Sequence, residues 1–149
     1  MGDQKLQILF LCTGNACRSQ MAEGWTRHLK HGVIDVFSAG VETHGLDTRA
    51  VAVMKEAGVD ISGHLSKHVS EFQDKKMDVV ITVCDNAKES CPYFPFAGKK
   101  VHQGFADPPV LAKDVAQKGG DENAQLDCYR KVRDEIRAFV NQLPDNVLS

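Results

Sequence analysis

The chain has 149 residues, of which 42% are hydrophobic and 26% charged, with a formal net charge of −2. That length suits a single domain, residues 1–149, with a sizeable buried core, and the composition is that of an ordinary soluble globular protein. The near-neutral balance excludes the basic footprint of nucleic-acid or anionic-membrane binding, and no apolar run approaches the ~20 residues of a membrane span.

The opening residues, Met1-Gly2-Asp3-Gln4-Lys5, lack the charged-then-apolar pattern of a secretory leader. Leu6 stands where a myristoylation signal would place Ser or Thr. Five cysteines, an odd number, fit a reducing compartment better than a disulfide framework. A cytoplasmic, monomeric enzyme is the expectation.

Leu6 to Leu11 is an apolar run that predicts a buried parallel strand. Cys12-Thr13-Gly14-Asn15-Ala16-Cys17-Arg18-Ser19 follows directly, and Met21, Trp25 and Leu29 then mark the inner stripe of a helix over Ser19 to Lys30. Gly32 ends that helix, Val33 to Phe37 is a second strand, and Ser38-Ala39-Gly40 closes it. Asp47 caps a helix running to Ala57, with Gly58 as its stop. Val59 to Lys67 is a connector and Val69 to Phe72 one short helical turn. Met77 to Val83 is the most strand-like run, ending at Cys84. The following loop carries Cys91-Pro92. Lys99 to Gln103 is the last strand, and residues 110 to 121 read as a polar insertion. From Glu122 onward, Leu126, Tyr129, Val132, Ile136, Phe139 and Leu143 step at helical spacing. The alternation calls for a doubly wound, three-layer α/β domain with four parallel strands and no internal repeat. Cys12, Cys84 and Asp107 would then share the carboxyl edge of the sheet, where such folds bind ligands.

The strand–loop–helix at Cys12 to Ser19 has the layout of an oxyanion cradle. Backbone N–H groups point inward, and the helix N-terminus adds its positive dipole end. A cysteine at the mouth of such a loop, with Arg18 six positions on, is favoured as thiolate. Arg18 offers a two-pronged donor to a tetrahedral oxyanion, and the Ser19 hydroxyl can hydrogen-bond the sulfur. The oxyanion-binding set is thus Thr13, Gly14, Asn15, Ala16, Cys17 and Arg18. Asn15 serves as a left-handed loop residue, as a side-chain bridge, or as both. The side chain of Cys17 reads rather as a spacer packed under the cradle. Asp107, before Pro108, is a cap or a proton donor facing the cradle. Cys128 is a bystander on the last helix. The six histidines are scattered and the Cys84/Cys91 spacing does not fit a zinc knuckle, so no metal chemistry is expected.

Cys-x5-Arg-Ser resembles the active-site loop of the low-molecular-weight tyrosine phosphatase family. The longer run Cys12 to Gly24, the Cys84-x6-Cys91-Pro92 pair, Gly104-Phe105, Asp107-Pro108 and Arg130 to Ile136 resemble the thioredoxin-coupled arsenate reductases that share this fold. The resemblance covers nearly the whole chain and implies a phosphatase-like fold with reduction of arsenate to arsenite as the activity. It implies Cys12 as nucleophile, Arg18 as oxyanion ligand, Ser19 supporting the thiolate and Asp107 protonating the departing oxygen. Cys84 would then attack the Cys12–arsenic adduct, and Cys91 would free Cys12, leaving an exposed Cys84–Cys91 disulfide for a thioredoxin. No organic cofactor is implied, phosphate and sulfate would act as analogues, and a residual phosphatase activity is expected. The alternative readings are a phosphotyrosine phosphatase and a non-catalytic oxyanion or redox sensor. Pro109 stands where such phosphatases carry a tyrosine after Asp-Pro, which speaks against the first.

Some members of the resembled family hold a potassium ion behind the loop. Asn15, Glu23 and Ser38 of that ligand set are present here, but Leu65 and Lys67 occupy the positions of the last two oxygen ligands. The expectation is therefore that the Lys67 ammonium takes the place of the ion.

Overall fold

A computed structural model describes residues 4–84 and 97–148. Four parallel strands, β1 (Leu6–Cys12), β2 (Ile34–Gly40), β3 (Met77–Thr82) and β4 (Ala97–His102), form one sheet in the order β2-β1-β3-β4. β1 lies at the centre because it is apolar on both faces: Ile8, Leu9, Phe10 and Leu11 are all fully buried. Its register sets Leu11 opposite Thr82 and Cys12 opposite Gly40. The connections leave β1 and β3 toward opposite sides, so their carboxyl ends form the switch-point crevice of the sheet.

The helices are α1 (Arg18–Lys30), α2 (Thr48–Glu56), α3 (Pro108–Gln117), α4 (Glu122–Asn141) and α5 (Asp145–Leu148), with a 3₁₀ turn at Val69–Phe72. Alternate residues of β1 divide between two cores, as the pleat requires. Ile8, Phe10 and Cys12 join the larger one, with Met21 and Trp25 of α1, Val53 and Met54 of α2, Ala112 of α3, and Tyr129, Val132 and Ile136 of α4. Leu9 and Leu11 join a smaller cluster with Ala39, Phe72, Met77 and Val80. Among the described residues, α1 to α4 thus pack into one core, and the other face is closed by the 3₁₀ turn.

Asp47 caps α2 as its position predicts, its carboxylate accepting from the N–H groups of Arg49 and Ala50, and Gly58 adopts φ +89° at the stop. The expected polar insertion at 110 to 121 is corrected: most of it is α3. Pro108 and Pro109 occupy its first turn, where the missing N–H costs nothing. Gly119, at φ +90°, turns the chain toward Asp121, which caps α4. The buried stripe of α3 is short, confined to Pro108 and Ala112, and Lys113, Asp114 and Gln117 interrupt its apolar residues, so periodicity alone did not mark it. α4 ends at Asn141, so Leu143 lies beyond it, and α5 follows a cis Leu143–Pro144 bond.

Candidate active site

The loop from Cys12 to Ser19 leaves the end of β1 and runs into α1. Asn15 takes φ +48°, the left-handed conformation that tightens the loop. Its backbone N–H donates to Cys12 Sγ at 3.2 Å. Ser19 Oγ lies 2.8 Å from the same sulfur. Because Asn15 Nδ2 donates to Ser19 Oγ at 2.8 Å, the serine oxygen is already an acceptor and its own proton is free for the sulfur. Two donors thus converge on Cys12.

A strap, residues 41–47, holds the cradle from outside. The N–H groups of Glu42, His44 and Asp47 donate to the carbonyls of Thr13, Gly14 and Ala16 at 2.9, 3.1 and 2.9 Å. With its carbonyls engaged outward, the loop keeps its amides for the interior. Gly40 permits the approach: a Cβ there would lie 2.6 Å from the Thr13 carbonyl oxygen. Tyr129 of α4 supports the strap, its hydroxyl donating to Asp47 Oδ2 at 2.7 Å. Burial first, and then that hydrogen bond, push the phenol well above its ordinary value.

Arg18 is only 4% exposed. Its Nη1 donates to the Phe105 carbonyl at 3.1 Å, and Nη2 lies 3.6 Å from Asp107 Oδ2. Asp107 occupies the N-cap position of α3, yet its side chain makes no capping bond there. The cleft between these groups has a volume of about 290 Å³ and is lined by Cys12 to Gly14, Ala16 to Arg18, His44, Asp107 and Pro109. No Phe, Tyr or Trp stands among the described residues that line it.

Several expected site residues lie elsewhere. The Asn15 side chain is turned behind the loop, where Nδ2 also donates to Ser38 Oγ at 2.9 Å, so it braces the cradle instead of lining it. Cys17 does reach the cleft, but it is buried and belongs to the main core. Burial first, with the charges of Asp47, Asp107 and Cys12 adding, raises its thiol well above the ordinary value, against the pull of Arg18. Cys84 is fully buried and disulfide-bonded, whereas Cys12, Cys17 and Cys128 are free thiols. Cys91 lies outside the described residues.

Behind the loop, Asn15 Oδ1 accepts from Lys67 N at 2.7 Å and from Gln20 Nε2 at 3.0 Å. Ser38 Oγ donates to Glu23 Oε1, and Lys67 Nζ stands 3.5 Å from that oxygen while donating to the Leu65 carbonyl at 2.7 Å. Burial would raise the Glu23 carboxyl, but the Ser38 bond and the Lys67, His64 and Arg27 charges outweigh it and hold it low. Every oxygen a potassium ion would need is thus engaged by a protein donor, and the group does not fit the ion. No cluster of metal-ligating side chains occurs among the described residues.

The sequence reading missed His44, the strap, Gln20 and Tyr129. Gly40 at a strand end, a position where only a close backbone approach demands glycine, was the available signal.

A cysteine and an arginine set in a backbone cradle, with an Asp-Pro carboxylate opposite, at the switch point of a parallel sheet define a class of oxyanion-handling thiol enzymes. Residues 7–148 match the low molecular weight phosphotyrosine protein phosphatase family, and the chain belongs to it. Its relatives narrow the comparison. It is 43% identical over 142 residues to arsenate reductase 2 of Staphylococcus saprophyticus, covering 95% of this chain and 98% of that one. It is 44% identical over 132 residues to an arsenate reductase of Halalkalibacterium halodurans, covering 89% and 90%. Among solved structures, an arsenate reductase in the phosphate binding state superposes with a TM-score of 0.73 at 30% identity, covering 95% and 98%.

Proposed function

We propose that this protein reduces arsenate to arsenite in the bacterial cytoplasm through a relay of three cysteines, discharged by a thioredoxin. The observation that carries the reading is the pairing of two thiol sites at adjoining strand ends. Cys12 lies free in the cradle at the end of β1, and Cys84, disulfide-bonded, follows β3. The Val83 N–H donates to the Leu11 carbonyl at 2.9 Å, tying the two ends together. A phosphatase requires only the first of these cysteines. Pro109, where the tyrosine phosphatases of this family carry a tyrosine after Asp-Pro, lines the cleft and further disfavours a phosphotyrosine substrate.

The chemistry proceeds in balanced steps. The Cys12 thiolate attacks arsenic while Arg18 and the cradle amides hold the oxygens. Asp107 gives a proton to the departing oxygen, which leaves as water. The Cys84 thiolate then attacks Cys12 Sγ. A sulfur–sulfur bond forms, the sulfur–arsenic bond breaks, and its electron pair stays on arsenic, which becomes arsenite. Attack by Cys91 on Cys84 frees Cys12 and moves the disulfide to the Cys84–Cys91 pair, where an external dithiol reduces it. Aryl phosphate hydrolysis remains as a side activity, since the first step needs only the cradle and Asp107.

Arsenate-dependent NADPH oxidation with thioredoxin and thioredoxin reductase tests the reading, comparing wild type with Cys91→Ser. Wild type should turn over, and the variant should stop after about one equivalent of arsenite. If neither reduces arsenate while both hydrolyse an aryl phosphate equally, the protein is a phosphatase.

A further inference from the structure

We infer that His44 is a second proton donor of the cleft, delivering a proton to an arsenic-bound oxygen as arsenite departs. The inference rests on the arsenate reductase reading and concerns its second step, for which Asp107 is not sufficient.

The need arises from the proton count. Hydrogen arsenate and two thiols yield uncharged arsenous acid, a disulfide and water only if two further protons are taken up. Attack by the Cys12 thiolate consumes one, from Asp107, and leaves a thio-arsenate dianion on the sulfur. When Cys84 attacks Cys12 and the electron pair passes to arsenic, an unprotonated product would leave as a trianion. The Cys84 thiol releases one proton on ionising. At least one more must come from an acid at the cleft, because Asp107 has just become a carboxylate.

Among the described residues that line the cleft, few groups can supply it. The cradle amides and Arg18 donate hydrogen bonds but do not part with protons near neutral pH. The Cys17 thiol, buried beneath the loop, holds its proton. Thr13 offers only a hydroxyl. Imidazole is the side chain suited to this task, and His44 is the one histidine among the residues lining the cleft.

The geometry equips it for that step. The His44 backbone is fixed to the Gly14 carbonyl at 3.1 Å, and Nε2 lies 3.1 Å from Glu42 Oε2. Glu42 is itself anchored through its N–H to the Thr13 carbonyl. With the Nε2 proton directed at Glu42, the second ring nitrogen is the one that exchanges with the cleft. Nδ1 lies against Gly14, where an added methyl group would come within 2.6 Å of it. The charged and titratable groups around the ring are Glu42 on its own strap and, lining the cleft, Arg18, Asp107, Cys12 and the protonated Cys17. The side chain is 56% exposed, so solvent can recharge it between turnovers.

The test is single-turnover arsenite release from the reduced protein, alongside protection of Cys12 from iodoacetamide by inorganic phosphate. His44→Gln should slow release about 100-fold, at the lower end of general acid catalysis, and change phosphate protection by less than about threefold. Added imidazole should restore the His44→Ala rate in proportion to its protonated fraction, a response that a purely structural role does not give. Glu42→Gln should slow release less than His44→Gln does. Release at the wild-type rate in His44→Gln overturns the inference. So does a parallel loss of protection and release without imidazole rescue, which would make His44 a binding residue. If wild type itself releases no arsenite, the arsenate reading falls, and the inference falls with it.

Discussion

Asp107 Oδ2 stands 3.6 Å from Arg18 Nη2, with the guanidinium side chain 5% exposed and the carboxylate 32% exposed. The more buried partner is the permanent cation, which the Phe105 carbonyl also holds. The more open one is the group that the proposed mechanism asks to exchange a proton. Asp107→Asn keeps the shape and cannot give up a proton. The first chemical step should slow about 10²- to 10⁴-fold. Phosphate protection of Cys12 against alkylation should hold or improve, because a negative charge facing the anion is gone. Weaker protection would mean that Asp107 orders Arg18 rather than serving as the acid.

Cys84→Ser separates the two chemistries of the cleft. In the proposed mechanism, hydrolysis of an aryl phosphate would use Cys12, Arg18 and Asp107, and it should stay within about twofold of wild type. Arsenite production should vanish, since no thiol remains to break the sulfur–arsenic bond. Strand alternation places Val83, not Cys84, on the face of β1 that carries Cys12. The proposed relay would therefore require the chain beyond Val83 to swing, and reduced and disulfide-linked forms should differ in hydrogen exchange there. Identical exchange in both forms would refute that movement.

Lys67 Nζ and Glu23 Oε1 account for the indifference to potassium expected here. Replacing sodium by potassium should leave the melting temperature and turnover unchanged. Lys67→Met leaves a carboxylate that is 7% exposed with Arg27, at 2.8 Å, as its remaining ion-pair partner. Urea unfolding should then show a loss of about 1–3 kcal/mol, less than for a fully orphaned buried charge. A potassium-specific rise in the melting temperature of wild type would reverse the conclusion.

The same carboxylate fixes a pH dependence. Because Glu23 is held below its ordinary value in the folded protein, its contribution is complete above the unfolded value of about 4.3. It is lost as pH falls through the lower folded value. The difference in melting temperature between wild type and Glu23→Gln should therefore narrow below about pH 4 and stay constant from there to neutrality. A gap that widened on acidification would assign the opposite sign.

What the sequence disclosed was local or strictly patterned. β1 is apolar apart from Gln7, the cradle is contiguous, and Asp107 announces itself before Pro108. The strap did not show, because its bonds to the cradle run from backbone N–H to backbone carbonyl across 29 to 31 positions, and no residue type encodes them. α3 was hidden for a different reason: a helix that buries little more than Ala112 has hardly any stripe to read. Lys67 was legible as a departure from a family pattern. Its partner distances needed the fold.

Tyr129 offers the sharpest test of how α4 reaches the active site. Its hydroxyl donates to Asp47 Oδ2 while Asp47 Oδ1 accepts from Arg49 N and the Asp47 N–H holds the Ala16 carbonyl. One phenol thus steadies both the cap of α2 and the outer edge of the cradle. Tyr129→Phe keeps the packing against Val132 and Ile136 in the core and removes only the donor. Stability should fall by about 1–2 kcal/mol, the worth of a part-buried hydrogen bond to a charged acceptor. Phosphate should also protect Cys12 about two- to tenfold less well, since a loop that must be ordered on binding spends affinity on that ordering. Asp47→Asn, which keeps a cap on α2, should lose less stability than Asp47→Ala while weakening protection similarly. If Tyr129→Phe lowers stability but leaves protection untouched, the strap positions the cradle without help from α4.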